Sequence, residues 1–110
     1  KGKIMEKLHF KSIYIAGLSY YDGAEAFSQL EIGSTISLLI EEDNFYDENA
    51  VVLYYENYKL GYVPKESNKS LSKILKAGYD VFTGIVQQVD SSEYPDQQIR
   101  VGIFITKKED

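Results

Sequence analysis

Alternation of apolar and polar residues divides most of the chain into segments that predict β-strands. The first, "LHFKSIYIAGL", places β-branched and aromatic residues on alternating positions and ends near a glycine, as a half-buried strand does. The same criteria predict strands at residues 8–18, 34–42, 50–56, 58–64, 79–90 and 97–108. The third and fourth are joined only by the turn around Asn57, so we expect them to form a hairpin.

Two segments depart from this alternation and predict helices. An apolar stripe at i, i+3 and i+4 in "SLSKILKAG" predicts an amphipathic helix over residues 66–77. The segment "GAEAFSQLEIG", residues 23–33, predicts a short helix or helical turn. The fold class is therefore mainly β with one or two short α-helices, and we expect a small six-stranded antiparallel β-barrel related to the oligonucleotide-binding fold.

A single barrel must bury the apolar positions of its strands and of the longer helix in one core. At 110 residues the chain is long enough for one such core and too short for two. We therefore expect a single domain over residues 1–110. Its core should contain Leu38, Ile40, Val52, Val63, Leu71, Leu75, Val86 and Ile103.

The composition excludes several classes of protein. The chain has no cysteine, which excludes disulfides and Cys-based metal sites and is what a reducing cytosol permits. No apolar run approaches the roughly 20 residues that a membrane helix needs. No basic segment followed by an apolar one marks a signal peptide. We therefore expect a cytoplasmic protein that does not enter a membrane.

No catalytic or metal-binding pattern stands out in the sequence. The one histidine, His9, lies in a predicted strand without partners at ligand spacing, and no G-x-x-x-x-G-K-S/T phosphate loop occurs. Glu41, Glu42 and Asp43 are consecutive, so a strand would point them to opposite sides instead of at one cation. We expect a protein that is not an enzyme and that uses no cofactor or metal.

The charge balance limits how the chain can contact nucleic acid. With 12 Lys and Arg against 17 Asp and Glu, the formal net charge is −5. Binding along many phosphates depends on basic residues that displace counterions, so any contact with nucleic acid must be local. The ten tyrosines suit both base stacking and the rim of a small barrel, and their number does not decide between these roles.

Two stretches place adjacent aromatic residues beside turn-forming residues. In "NFYDENAVV", Asn44 and Asp47 are typical of a turn in which side chains cap the backbone, and this is the simpler interpretation. An exposed Tyr46 ring beside Asp47 would instead suit a ligand, since a carboxylate accepts a hydrogen bond from a sugar hydroxyl. Tyr20 and Tyr21 in "GLSYYDG" form a similar pair. Alternation places one of these two rings in the core, and we expect the exposed rings of both stretches at one rim.

Basic residues follow the fourth predicted strand. Lys65 comes directly after "LGYVP", and Lys69, Lys73 and Lys76 recur on one side of the predicted helix. Opposite an apolar stripe, the three later lysines are most simply the solvated face of that helix. Lys65 is therefore the better candidate for a ligand contact.

Taken in order, "AGLSYYDG", "GSTISLLIEEDNFYDENAVVLYYENYKLGYVPKE" and "LSKILKAG" resemble the HIRAN domain. This module occurs in stand-alone bacterial and phage proteins and in the N-terminal region of SWI/SNF-type helicases. The resemblance runs from about Ile13 to the final strand. Its core is the pattern N-x-Y/H-D-x-N-A-V/I followed shortly by LGYVP.

The resemblance implies a non-enzymatic DNA-binding module that recognises single-stranded DNA or its free 3′ end, in processes such as DNA repair or replication. Hydrolase activity would belong to fused helicase or nuclease domains, and a helicase or nuclease is an expected partner. Carried over by position, Tyr46 and Asp47 would meet the terminal 3′ hydroxyl, and Asn44 would approach the terminal base. The full implied nucleic-acid site is Tyr20, Tyr21, Asn44, Tyr46, Asp47, Tyr62 and Lys65, with Tyr20 against the bases and the last two beside the phosphate.

Two positions depart from the helicase-borne members of the family. Ser19 stands where they carry an arginine that can clamp phosphate, and Tyr62 stands where some carry histidine. With the negative net charge, these departures leave open an alternative function, that of a protein-interaction or regulatory β-barrel that has lost tight DNA binding. A basic patch at the mouth formed by Tyr20, Tyr46 and Lys65 would favour DNA, and an acidic or apolar mouth would favour the alternative.

Overall fold

Six strands and two α-helices make up the described part of the chain, residues 6–107 of a computed structural model. The strands are β1 Lys7–Tyr14, β2 Thr35–Ile40, β3 Val51–Tyr55, β4 Tyr58–Tyr62, β5 Phe82–Val89 and β6 Ile99–Thr106. The helices are α1 Gly23–Phe27 and α2 Lys69–Lys76, and single 3-10 turns lie at Leu18–Tyr20, Lys65–Ser67 and Pro95–Gln97. Each predicted strand and helix is therefore confirmed, with fewer residues than predicted.

All six strands pair antiparallel in one sheet, in the order β1-β6-β5-β2-β3-β4. The hairpin predicted around Asn57 is the β3-β4 pair. The two edge strands, β1 and β4, do not form a ladder with each other. They meet only through Ala16, which exchanges two backbone hydrogen bonds of 2.9 Å with Tyr62. The six-stranded antiparallel sheet is confirmed, whereas closure into a barrel is not, because one bridge does not make a ladder.

The bridge between the two sheet edges depends on a glycine. Gly61, next to Tyr62 in β4, has a φ of 149°, which side-chain-bearing residues rarely adopt. A Cβ atom at this position would overlap the carbonyl oxygen of Ala16 and touch the side chain of Ile15. The missing side chain thus allows the segment after β1 to approach the end of β4. This approach places Tyr62 and the residues that follow it beside the first 3-10 turn.

The core draws on all six strands and on both helices, and α2 packs against β2. Of the eight residues expected there, five belong to the main buried cluster: Leu38, Val63, Leu71, Val86 and Ile103. Val52 is buried outside that cluster, and Ile40 and Leu75 are half-buried against it. The predicted core is thus largely confirmed. Within residues 6–107, no helix is long and apolar enough to cross a membrane.

Gly61→Ala tests the close approach of the two sheet edges. Because the new Cβ would overlap backbone that cannot rotate away, we expect the free energy of unfolding to fall by more than about 3 kcal/mol. Gly78→Ala is the matched control, since Gly78 also has a positive φ but has open space around the position of a Cβ. The control should lose only about 1–2 kcal/mol of backbone strain. Urea unfolding of both variants would measure the difference, and equal losses would contradict this account of the bridge.

Candidate functional site

A groove of about 600 Å³ lies between the β2-β3 loop and the end of β4. One wall is the loop, residues 41–50. The other wall consists of Tyr21, which follows the first 3-10 turn, and of Tyr62, Val63 and Lys65, which lie at the end of β4 and in the turn after it. Six of the seven residues expected to form a nucleic-acid site line this groove: Tyr21, Asn44, Tyr46, Asp47, Tyr62 and Lys65. We refer to it below as the loop groove.

The β2-β3 loop is shaped by its own side chains. Asn44 Oδ1 accepts hydrogen bonds from the backbone N–H groups of Tyr46, at 2.8 Å, and Asp47, at 2.9 Å. Asp47 Oδ1 accepts from the N–H of Asn49 at 2.9 Å. These are turns of the Asx type, in which a short polar side chain substitutes for a backbone acceptor. The simpler interpretation of this stretch is therefore confirmed, and it explains why Asn44 and Asp47 occur three residues apart.

The same loop is fastened to the helix α2. Asn68, the residue before α2, is only 2% exposed, and its Nδ2 donates to Asp47 Oδ2 at 2.8 Å. Further along the helix, Lys76 Nζ donates to the carbonyl oxygen of Glu48 at 2.7 Å. The buried Ser72 hydroxyl contacts the side-chain oxygen of Asn49 at 3.4 Å. The loop therefore rests on a helix that is itself anchored in the core by Leu71, which is fully buried.

Asp47 keeps acceptor capacity for a ligand in spite of these bonds. A carboxylate has about four acceptor positions, and the loop and Asn68 use one on each oxygen. The side chain lines the loop groove and is half-buried. Asp47 therefore presents a carboxylate in a fixed orientation to whatever enters the groove.

A second carboxylate, Glu41, also lines the loop groove and was not among the expected site residues. Its Oε1 accepts from the Tyr62 hydroxyl at 2.6 Å and from Asn44 Nδ2 at 2.9 Å, and Lys59 Nζ lies 3.4 Å from Oε2. The hydrogen bond from Tyr62 is the main cause that lowers the pKa of Glu41, against burial, with Asn44 and Lys59 adding to it. Burial and the hydrogen bond to Glu41 raise the pKa of Tyr62.

No local sequence pattern pairs Glu41 with its partners. Glu41 follows β2, whereas Lys59 and Tyr62 belong to β4, and the three residues meet only because β2 and β4 flank β3 in the sheet. The consecutive acidic residues 41–43 drew attention only as a candidate cation site. Within residues 6–107, no cluster of His, Cys, Asp and Glu is arranged to hold a metal ion.

Aromatic rings from both expected stretches reach the loop groove. Phe45 and Tyr46 are 100% and 91% exposed on the loop, and Tyr21 is 39% exposed on the opposite wall. Tyr21 packs edge-on against Tyr62 with ring centroids 5.7 Å apart, and Lys59 Nζ lies 4.4 Å from the centroid of Tyr21. The expected shared rim is confirmed, with Tyr21 as the tyrosine that forms it.

Tyr20 is the exception among the expected residues. It is 80% exposed and lines a separate groove beside Tyr94. The expectation that one tyrosine of the pair faces the core is wrong, because residues 18–20 form a 3-10 turn instead of continuing the strand. In this turn Leu18 supplies the buried side chain, and both tyrosines remain at the surface.

The mouth of the loop groove is aromatic and acidic. Glu41, Asp43 and Asp47 line it, and among the described lining residues Lys65 is the one with a positive charge. Lys65 Nζ lies 3.4 Å from the carbonyl oxygen of Tyr46. A basic patch formed by Tyr20, Tyr46 and Lys65 is therefore not present in residues 6–107. The other lysines of this region, such as Lys69 and Lys73, are exposed on the outer side of α2.

Comparisons with known proteins identify a family by its sequence model and a fold by solved structures. The family model of the HIRAN domain matches residues 10–107. The crystal structure of a protein from Lactobacillus plantarum is 21% identical, with a TM-score of 0.81 over 96% of this chain and 100% of that one. The crystal structure of the HIRAN domain of human HLTF is also 21% identical, with a TM-score of 0.68 over 94% of this chain and 81% of that one. No curated protein sequence matches the chain.

The lowered pKa of Glu41 predicts a pH-dependent contribution to stability. The folded state lowers this pKa from its ordinary value of 4.5, so the ionised carboxylate stabilises the fold above that pH, and the contribution is lost as the pH falls through the folded-state pKa. Glu41→Gln should therefore lower the free energy of unfolding at neutral pH, and its difference from the wild type should shrink below pH 4.5.

Urea unfolding measured at several pH values from neutral down to about pH 3 would test this effect. The lower limit lies about a unit and a half below the ordinary carboxyl pKa. Glu42→Gln is the matched control, because Glu42 is the exposed neighbour of Glu41 and carries the same charge. Its difference from the wild type should stay small at every pH. A Glu41→Gln deficit that is unchanged in acid would show that the carboxylate does not act through its charge.

Proposed function

The chain belongs to the HIRAN domain family, whose model spans residues 10–107, and we propose that it is a non-enzymatic DNA-binding module that captures the free 3′ end of a single strand. The observation that carries this proposal is the carboxylate of Asp47, held at the loop groove by two hydrogen bonds. A carboxylate is a poor partner for phosphate but accepts a hydrogen bond from a hydroxyl. In a DNA strand, a free sugar hydroxyl of this kind occurs at the 3′ terminus.

The aromatic walls of the loop groove suit a nucleotide. Tyr21 on one side and Phe45 and Tyr46 on the other present ring surface around a volume of about 600 Å³. Stacking of a base on an aromatic ring contributes about 1–3 kcal/mol and does not depend on the identity of the base. These rings supply affinity, and the neighbouring carboxylate supplies the recognition of the strand end.

The charges of the groove favour an end over the interior of a strand. Lys65 is the one cation among the described lining residues, beside Glu41, Asp43 and Asp47. Binding along a strand needs several phosphate contacts, because each contributes released counterions. One lysine supports one phosphate contact, which is what a terminal nucleotide requires. Affinity should therefore be modest and concentrated at the terminus.

Tyr62 has a different role from the one that the family resemblance implies. Its hydroxyl donates to Glu41 at 2.6 Å, and a phenol has one proton to donate. The phosphate contact therefore falls to Lys65, while Tyr62 supports the ring of Tyr21 and holds Glu41. Ser19, at the position of the family's arginine, lines other grooves, so it adds no contact here.

The wider setting follows from the same proposal. A domain of this kind, folding as one unit, would act in the cytoplasm on DNA ends in repair or replication. A helicase or nuclease would supply the catalytic activity.

The acidic mouth supports one alternative, a protein-interaction barrel that has lost tight DNA binding. Three carboxylates around a groove with two highly exposed aromatic residues, Phe45 and Tyr46, would suit a basic peptide segment. Charge complementarity of this kind directs partner choice. The two functions predict different binding results, because a groove that binds peptides should not distinguish a hydroxyl-ended DNA strand from a phosphate-ended one.

End capture predicts a preference between two strands that differ only at the 3′ terminus. The wild type should bind a hydroxyl-ended strand more tightly than a phosphate-ended one by about 1–3 kcal/mol, the contribution of a hydrogen bond to a charged group. Asp47→Asn should reduce this preference, because it removes the charge that accepts the hydroxyl proton. Fluorescence anisotropy with labelled oligonucleotides would measure both affinities.

We choose Asp47→Asn because Asp47→Ala would leave the buried Asn68 without its partner. An asparagine oxygen can still cap the N–H of Asn49, and Asn68 can rotate its amide to pair with the new one. Asp43→Asn is the matched control, since it removes the same charge from the same groove and should keep the preference for the hydroxyl. Equal binding of both strands by the wild type, or binding of neither at low salt, would favour the protein-interaction alternative.

Lys65→Ala tests the single phosphate contact. It should weaken binding of hydroxyl-ended and phosphate-ended strands alike, because a phosphate contact carries no information about the terminus. The slope of log affinity against log salt concentration should fall in magnitude by about 0.7, as expected for one phosphate on a single strand. Lys69→Ala, an exposed lysine outside the loop groove, should leave both affinity and slope nearly unchanged. An unchanged slope in Lys65→Ala would exclude Lys65 as the phosphate ligand.

A further inference from the structure

We propose that Glu41 accepts an N–H of the terminal base on the edge that base pairing uses, so that the groove admits only a strand whose last base is unpaired. The inference rests on the proposed function, because it assigns a second recognition element to the same groove. It makes Glu41 a specificity-determining residue, separate from the hydroxyl recognition by Asp47.

The hydrogen bonds of Glu41 show where its free acceptor capacity lies. Oε1 already accepts two short bonds, from the Tyr62 hydroxyl at 2.6 Å and from Asn44 Nδ2 at 2.9 Å. Oε2 has only the longer contact with Lys59, at 3.4 Å. A carboxylate oxygen has two acceptor positions, so Oε2 has room for one good hydrogen bond from a ligand.

Glu41 is more buried than the rings on which a base would stack. Phe45 and Tyr46 are almost fully exposed, whereas the side chain of Glu41 is 24% exposed. In the proposed binding mode, a base that stacks on these rings has its polar edge toward Glu41 and Asn44, which line the same groove. Each of the four DNA bases carries at least one N–H on its pairing edge, so Glu41 can accept from any of them without selecting a sequence.

A base that is already paired does not present this edge to a protein. In a duplex, the opposite strand occupies the space beside the pairing edge, so Glu41 could not reach the N–H groups on it. The carboxylate would then lose water on binding without gaining a hydrogen bond from the ligand, which is unfavourable. Glu41 therefore contributes to the selection of single-stranded ends by penalising paired ones.

Two oligonucleotides that differ by one amino group test this inference. Both carry a free 3′ hydroxyl and the same sequence, but one ends in adenine and the other in unsubstituted purine, which has no N–H on its pairing edge. The wild type should bind the adenine-ended strand about tenfold more tightly, the effect of a lost hydrogen bond to a charged group. Fluorescence anisotropy would give the ratio of the two affinities.

Glu41→Gln should bring this ratio close to one. Its amide oxygen should occupy the position of Oε1, where Tyr62 and Asn44 donate two short hydrogen bonds, in preference to that of Oε2, where Lys59 donates one longer bond. This orientation places the amide N–H₂ at the position of Oε2. The open acceptor then becomes a donor, and the amino group of adenine loses its partner. Glu42→Gln removes the same charge from the adjacent exposed residue, outside the loop groove, and should keep the tenfold ratio. Because each ratio is taken within one variant, a change in stability does not mimic the effect.

The outcomes separate this inference from the function on which it rests. A wild type that prefers hydroxyl-ended over phosphate-ended strands but binds adenine and purine ends equally would overturn the role of Glu41 and leave end capture intact. A tenfold ratio that persists in Glu41→Gln would place base recognition on another residue and also overturn it. A wild type that shows neither the preference for hydroxyl-ended strands nor the preference for adenine-ended strands would overturn end capture itself.

Discussion

The hydrogen bond from Asn68 to Asp47 is the contact on which the arrangement of the loop groove depends. Asn68 is 2% exposed, and a buried amide without a partner costs about 1–3 kcal/mol, so the loop must deliver a carboxylate to this point whenever the chain is folded. Asp47 does so at 2.8 Å. Because Lys65 begins the short turn that leads into Asn68, the same contact helps to place Lys65 beside the loop, where its Nζ lies 3.4 Å from the carbonyl oxygen of Tyr46.

The same hydrogen bond bears on the two interpretations of residues 44–47, as a turn capped by side chains and as a contact for a ligand. Asn44 and Asp47 cap backbone N–H groups, as a simple turn requires, and a turn alone needs only one oxygen of Asp47. The second oxygen binds α2, so the carboxylate is held from both sides while it still faces the groove. Rigid positioning of a recognition group reduces the entropy lost when a ligand binds. The structural role of Asp47 therefore supports a binding role instead of competing with it.

Local pattern predicts much of this molecule, and the exceptions have two causes. Strand alternation locates all six strands, the apolar stripe around Leu71 locates α2, and the segment 23–33 locates α1. Six expected site residues meet in one groove. The prediction that either Tyr20 or Tyr21 faces the core is wrong because a 3-10 turn follows β1 at this point. The alternation of apolar and polar residues does not reveal such a turn. Glu41 and Lys59 were missed because their contact depends on strand order, which residues close in sequence do not encode. The single bridge between Ala16 and Tyr62 depends on strand order in the same way.

The negative charge of the chain has less influence on the groove than a count of residues suggests. Of the three carboxylates that line it, Glu41 is compensated by the nearby Lys59, by the Tyr62 hydroxyl and by Asn44. Asp47 is held by two hydrogen bonds, and Asp43 is exposed to solvent, where salt screens its field. What remains is a site rich in hydrogen-bond acceptors, in which two of the three carboxylates are already held by hydrogen bonds within the protein. Such a site gains affinity from ligands that bring N–H and O–H donors, and a terminal nucleotide with a free hydroxyl and an unpaired base brings both.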